Sequence, residues 1–259
     1  MASKQNSARI VSLAPSATSI LCEIGAKRQL VGVTKWCGEV ARVNGLPKLG
    51  DCWRMKSVDE ILRLRPTLVI GSVPFKTETV IKLLDQPFAF LALNPRSLAD
   101  VGSDIRLLAG LTGRSTAGES LIARMKRVFD TIRTSARTRK RRVRVYCEAW
   151  PNPRISSPPW VAELVKLCGA EMVPQAGQRV TDAQVAAAEP DVILLAWAAT
   201  GARSVPRRAY AVAAWQEVPA IRNRQVHVIR DELLNTPGPP LMKGARALAR
   251  ILRSVEAGR

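Results

Sequence analysis

The sequence predicts an α/β protein of two similar lobes, each built on a parallel sheet, joined by one long helix. Short, near-continuous apolar runs bounded by turn residues alternate with helix-period segments along the whole chain, the pattern of strands covered on both faces. The two halves also repeat one pattern. Ser57 to Pro66 and Thr181 to Pro190 each open with a capping box and each lead into an apolar strand, Pro-Thr-Leu-Val-Ile in one and Pro-Asp-Val-Ile-Leu in the other. Between the halves, Leu121, Met125, Val128, Phe129 and Ile132 recur at helical spacing from Thr116 to Thr138, with no Gly or Pro after Gly118. The organisation expected is an N-terminal lobe over 1–115, a connecting helix over 116–138 and a C-terminal lobe over 139–259.

Taken in order, Arg9-Ile-Val-Ser-Leu13 reads as a buried strand, and Pro15 opens a helix carrying Ile20, Leu21 and Ile24 that Gly25 closes. Leu30–Thr34 is a second strand, followed by a long connection containing Trp36, Cys37, Gly45, Pro47, Gly50 and Trp53. Ser57-Val-Asp-Glu60 has the spacing of a capping box, in which the serine oxygen and the glutamate satisfy each other's orphan backbone donors. Its helix stops before Pro66, and Thr67–Ile70 is a third strand. A helix over Thr77–Leu84, a strand over Phe88–Leu93 and a helix capped at Ser97 and ending at Gly113 complete the first half. In the second, strands at Val143–Cys147, Val192–Leu195 and Gln225–Ile229 are separated by a helix from Trp160 to Leu167 and the box Thr181-Asp-Ala-Gln184. A helix over Lys243–Val255 closes the chain.

The chain has 259 residues, enough to bury a large core. No run of about 18 apolar residues occurs, and the first nine residues lack the apolar stretch of a secretory signal. Cys22, Cys37, Cys52, Cys147 and Cys168 are odd in number and form no C-x-x-C pair, which speaks for reduced thiols over a disulfide framework or a zinc site. Forty Lys and Arg stand against 21 Asp and Glu, a net charge of +19; ten of those cations and a single acid, Asp130, lie between Arg124 and Arg144. Such a run can bind nucleic acid, but no recognition motif accompanies it, so a solvated helix face is expected and no nucleic-acid partner. Catalytic constellations are missing: His227 is the one histidine and sits inside a strand, and no phosphate-binding glycine loop occurs. An enzyme, and with it a catalytic cofactor, is therefore not expected.

In open α/β sheets, ligands bind beyond the carboxyl ends of the strands. Trp36, Trp150 and Trp197 follow strands, while Trp53 and Trp160 lie in loops just before helices. Five of six tryptophans at such positions suggest an apolar wall for a large planar ligand.

The segments Arg9–Thr18, Leu30–Thr34, Ser57–Ile70, Trp160–Gly169, Ala188–Ile193, Trp215–Ile229 and Pro237–Pro239, in that order, resemble the cobalamin and iron-siderophore solute-binding proteins of ABC importers, the cobalamin-binding branch most. The resemblance implies two Rossmann-like lobes on one rigid helix, with a cobalamin-like corrinoid held in the cleft between them. It implies aromatic contacts from Trp36, Trp53, Trp150 and Trp160, a polar contact from Asp231, and a monomer that hands its small-molecule ligand to an importer permease. Transporter docking by acidic residues would fall to Asp59 or Glu60 in the first lobe and to Asp182, beside Ala183, in the second. Where the family usually carries a His-Glu-Cys sequence this chain has Lys35-Trp36-Cys37, which leaves Cys37 as the candidate cobalt or iron ligand. Both arginines of the family's Arg-Pro-Gly-Pro-Arg loop are absent from Thr236-Pro-Gly-Pro-Pro240. The same scaffold accepts a ferric siderophore or haem. A reading from another class is a cytoplasmic tetrapyrrole-modifying enzyme or chelatase, in keeping with the missing signal; the family role instead places the protein outside the cytoplasmic membrane, in the periplasm.

Overall fold

The computed structural model describes residues 8–53, 55, 57–137, 141–200 and 204–257. They form two compact units: one of the residues up to Pro95 with Ala99–Ala123, the other of Arg96–Leu98 with Arg124 onward. The division falls inside the long helix, so each unit owns part of it.

The first unit follows the expected alternation: β1 (Ile10–Ser12), α1 (Pro15–Glu23), β2 (Leu30–Thr34), β3 (Lys48–Leu49), α2 (Asp59–Leu62), β4 (Leu68–Ser72), α3 (Thr77–Leu84), β5 (Ala89–Leu93), α4 (Leu98–Leu111) and the start of α5 (Ser115–Ala136). Five parallel strands lie in the order β3-β2-β1-β4-β5. Central β1 is wholly buried, because helices cover both faces and every side chain must be apolar or bonded; Ser12 meets this by donating to the carbonyl of Ala14. Val11, Leu13, Cys52, Ile61, Val69 and Leu83 form the core of one face.

Two details depart from expectation. The two-residue β3 lies where the sequence reads as connection, since a strand that short has no periodicity and exists only through its register with Val33 and Thr34. The box at Ser57 does not form: the Ser57 hydroxyl accepts from Asp59 N (3.1 Å) and donates to Asp59 Oδ2 (2.6 Å), and α2 is a single turn without a side-chain cap.

In the second unit come β6 (Val143–Pro151), β7 (Arg154–Ser156), α6 (Pro159–Leu167), β8 (Ala170–Met172), α7 (Asp182–Ala187), β9 (Val192–Leu195), α8 (Arg207–Tyr210), α9 (Pro219–Arg222), β10 (Val226–Val228) and α10 (Leu241–Ala257). Strands β10, β9, β6 and β8 are parallel, but this sheet is not purely so. The long β6 shares one edge between β8, beside Val143–Val145, and β7, which folds back antiparallel beside Glu148–Pro151. The box at Thr181 forms in full, with both reciprocal hydrogen bonds present.

The internal repeat extends to the backbone. Arg65 and Glu189, each preceding a proline, take φ of 45° and 41°. Left-handed conformations are uncommon for residues with a Cβ, and here each lets a helix turn sharply into a buried strand. The residue after each proline then captures the neighbouring strand. Thr67 Oγ1 accepts from Arg9 N at 3.0 Å, and the buried Asp191 carboxylate accepts from Arg144 N at 2.9 Å. Arg141 also pairs with Asp191, and Arg144 lies 3.7 Å from Glu189. Part of the basic run therefore anchors β6 to β9, while Arg124, Lys126, Arg127 and Arg133 are exposed on α5 as the solvated face expected of it; Thr138, Arg139 and Lys140 lie outside the described residues.

The core of the second unit encloses a charge. Glu148 on β6 has no exposed surface and accepts hydrogen bonds from Tyr146 Oη (2.9 Å), Trp197 Nε1 (2.8 Å) and Arg154 Nη1 (2.6 Å). Arg154 also donates through Nε to Asp182 and stacks 4.2 Å from the centre of the Trp215 ring. Trp215 donates to the Asp182 carbonyl and packs edge-on against Tyr146. Burial works against the guanidinium charge, while Asp182 and Glu148 hold it in place and raise the Arg154 pKa overall. Breaking a buried pair on one side leaves an uncompensated charge, so Arg154→Met should destabilise the second unit by about 3–5 kcal/mol in urea titrations. Combining it with Glu148→Gln should cost less than the sum of the single changes, which would distinguish coupled partners from independent ones.

In the first unit, Asp104 on α4 has its pKa raised from its ordinary 3.8 to about 6 by burial and by Asp100. The folded state thus holds this proton more tightly than the unfolded chain, and stability declines as pH rises from about 4 through 6. Asp104→Asn should raise the melting temperature by a few degrees at pH 8 and leave it unchanged at pH 4.

Candidate functional site

Each unit presents a set of loops beyond the carboxyl ends of its parallel strands. In the first, β2 runs into a 3-10 turn over Lys35–Glu39 that carries Trp36, and the loop after β3 carries Trp53. Asp51 joins the two: Oδ2 accepts from Trp36 Nε1 at 3.2 Å and Oδ1 from Trp53 N at 3.0 Å. Lysines lie over both rings, Lys35 Nζ at 4.6 Å from Trp36 and Lys76 Nζ at 5.3 Å from Trp53. Trp53 is half exposed, a costly way to place an indole unless something covers it. The loop beneath is held close to β4: a Cβ on Gly71 would lie 2.7 Å from Cys52 Sγ and 3.0 Å from the Phe75 ring, so only glycine admits this approach. The sequence does not mark Asp51, because a lone aspartate before Cys52 and Trp53 carries no spacing signal.

In the second unit, Trp150 stands near the end of β6, 38% exposed, its Nε1 donating to the carbonyl of Asn152 at 2.8 Å. The β7 hairpin holds it there, through pairing of Trp150 with Ile155. Asp231 follows β10, and its Oδ2 accepts from Ala199 N at 2.9 Å, tying the loop after β10 to the loop after β9. Beside it Asn235 donates to the Ala196 carbonyl at 2.6 Å, while its buried Oδ1 has no hydrogen-bond partner.

The expected wall of five tryptophans is thus reduced to three with accessible surface, Trp36 and Trp53 on one unit and Trp150 on the other. Trp160 and Trp197 are each 4% exposed and spend their indole N–H inside the second unit, on the Leu234 carbonyl and on Glu148 respectively. Trp197 lies in the loop after β9, as its sequence position suggests, whereas Trp160 sits in the first turn of α6 and not in the loop before it; either position can face inward when a buried acceptor needs a donor. The sequence signal for this is Glu148, an acid inside the apolar strand Val-Arg-Val-Tyr-Cys-Glu-Ala-Trp.

Cys37 does not present a ligand to the surface. Its thiol lies buried at 3.0 Å from Thr18 Oγ1 and 3.2 Å from Thr34 Oγ1, with its pKa raised chiefly by burial. Cys52 and Cys147 are pushed up to about 12 by burial, and no group of three His, Cys, Asp or Glu side chains suited to a metal occurs among the described residues. His227 is half buried on β10, bonded to Gln225, its pKa lowered by burial. Among the acids expected to face a transporter, Asp59 and Glu60 are exposed on α2, whereas Asp182, half exposed, is held by Arg154. No helix among the described residues is long and apolar enough to cross a membrane.

This architecture is that of known binding proteins. The apo form of a periplasmic haem-binding protein from Roseiflexus superposes with a TM-score of 0.80 at 25% identity, over 96% of this chain and 99% of that one. The periplasmic vitamin B12 binding protein of Vibrio cholerae superposes with a TM-score of 0.77 at 22% identity, over 96% and 98%. In sequence the chain is 26% identical over 258 residues to an uncharacterized ABC transporter substrate-binding lipoprotein of Bacillus subtilis, covering 95% of this chain and 80% of that protein. It is 23% identical over 256 residues to a vitamin B12-binding protein of Vibrio cholerae, covering 95% and 89%. The periplasmic binding protein family model matches residues 10–233. The chain therefore belongs to the periplasmic binding protein family, as a solute-binding protein of the ABC importer type and not an enzyme.

Proposed function

We propose that this protein binds a cobalamin-like corrinoid outside the cytoplasmic membrane, acting as a monomer, and delivers it to an importer permease. The observation that carries the reading is the exposed indole in each unit, Trp53 in the loop after parallel strand β3 and Trp150 near the carboxyl end of β6. A corrin ring offers a broad, largely apolar face, and covering indoles with it at about 25 cal/mol per Å² supports tight binding without covalent chemistry. Trp36 extends the first surface, with Asp51 holding the two rings in place, and Asp231 supplies a carboxylate at the second. Relatives named as vitamin B12-binding proteins support the choice. Recognition comes from packing and hydrogen bonds, since the Cys37 thiol is buried and protonated at neutral pH and gives the metal no soft ligand. For docking, Asp59 and Glu60 offer carboxylates directly, while Asp182 engages a transporter cation only by sharing it with Arg154.

Haem is the second reading, favoured by the likeness to the Roseiflexus haem-binding protein. Planar and apolar, it suits the same indoles, but haem iron is usually held by a side-chain ligand, and the one histidine is half buried on a strand.

Titration with cyanocobalamin should quench tryptophan fluorescence and saturate at one ligand per chain. Trp53→Ala and Trp150→Ala should each weaken binding by about 10- to 100-fold, the range for losing a buried aromatic anchor. A haem titration run in parallel decides between the ligands: saturation with haem and none with cobalamin selects the second reading. Unchanged affinity in both variants would place the site elsewhere.

A further inference from the structure

The second unit carries a cationic groove that the ligand site does not use. It lies between the later turns of α5 and the outer side of α10, with a volume of about 400 Å³. Arg127 of α5 and Arg246, Arg250 and Arg253 of α10 line it, and Val128, Ile132, Ala136, Cys168 and Ala249 supply apolar lining. All four arginines are exposed, and none is paired with a carboxylate among the described residues.

The sequence of α10 makes this face. Leu241, Ala245, Leu248, Leu252 and Val255 are buried in the unit, so Lys243, Arg246, Arg250 and Arg253, three or four residues apart, form one stripe facing water. Over ten residues the stripe is about 15 Å long. Like charges at such spacing repel and weaken the helix, so the arrangement is a standing cost unless an anion meets it.

The groove is also at the wrong end of the sheet to serve the ligand. Ser135 and Ala136 precede the start of β6, and Cys168 precedes the start of β8, so it adjoins the amino ends of these strands. Trp150 stands near the carboxyl end of β6.

We infer that this face docks on a bilayer containing anionic phospholipid, the guanidinium groups taking the lipid phosphates and the apolar lining the adjoining glycerol and acyl carbons. Charge and shape favour this occupant. A row of exposed cations matches a plane of headgroups, and arginine stems lie along apolar surface while their heads bind phosphate. Nucleic acid fits less well: no aromatic ring lines the groove to stack a base.

The test is sedimentation of the whole protein with vesicles of phosphatidylcholine, with and without phosphatidylglycerol, at several salt concentrations. The protein should bind the anionic vesicles alone, with affinity falling as salt rises. Arg246→Gln with Arg250→Gln should weaken that binding on the order of tenfold, whereas Arg28→Gln with Arg114→Gln, an equal charge change on the first unit, should alter it by less than about twofold. The groove variant should melt no lower than the wild type, because it removes a repelling pair. Equal losses in the two variants would overturn the proposal in favour of diffuse attraction by the +19 net charge. So would equal binding to both vesicles, or groove-dependent binding of duplex DNA without binding to anionic vesicles.

Discussion

A carboxylate with no access to water governs the second unit. Glu148 cannot be solvated, so the chain supplies donors from three directions: Tyr146 two residues earlier, Trp197 from the loop after β9, and Arg154 from β7. Each donor draws its segment inward. Trp197 is taken from the surface, and the β6–β7 hairpin is pinned back on its own strand. Arg154 in turn reaches Asp182 at the start of α7 and lies on Trp215. One buried charge thus joins four separate stretches of chain. The hairpin it pins also exposes Trp150, which links core electrostatics to the proposed ligand surface.

The first unit obtains the same result by other means. No buried ion pair is found there among the described residues, and its loops are set by close backbone approach at Gly71 and by Asp51, which holds Trp36 and Trp53 through an indole N–H and a backbone N–H. Asp51 is partly exposed, so it organises the loop at little desolvation cost. A rigid core with a hydrogen-bonded surface loop suits a binding protein, whose ligand must find its aromatic contacts already placed.

The repeated turn shows how far sequence similarity inside one chain reaches. Ser57–Pro66 and Thr181–Pro190 share their left-handed residue before proline and the strand capture after it, through Thr67 in one case and Asp191 in the other. They do not share their caps. Thr181 is fully extended as an N-cap, whereas Ser57 turns onto Asp59 and the helix starts a residue later. Both match the box in sequence, and local backbone conformation decides whether the hydroxyl reaches the third residue or the second.

From the sequence alone the α/β class, the order of its principal strands and helices, the long helix and the family are all legible. Those features rest on hydrophobic periodicity and on Gly and Pro positions, which are properties of neighbouring residues. Short strands such as β3, β7 and β8 are not legible, because two or three residues acquire strand structure only from the partner they pair with. Which tryptophans face water was likewise decided by tertiary structure. Trp150 and Trp197 both follow apolar strands and look alike in sequence, yet one stands on a hairpin and the other is held by a glutamate 49 residues away. Burial of a side chain depends on what lies across from it, and local sequence carries no record of that.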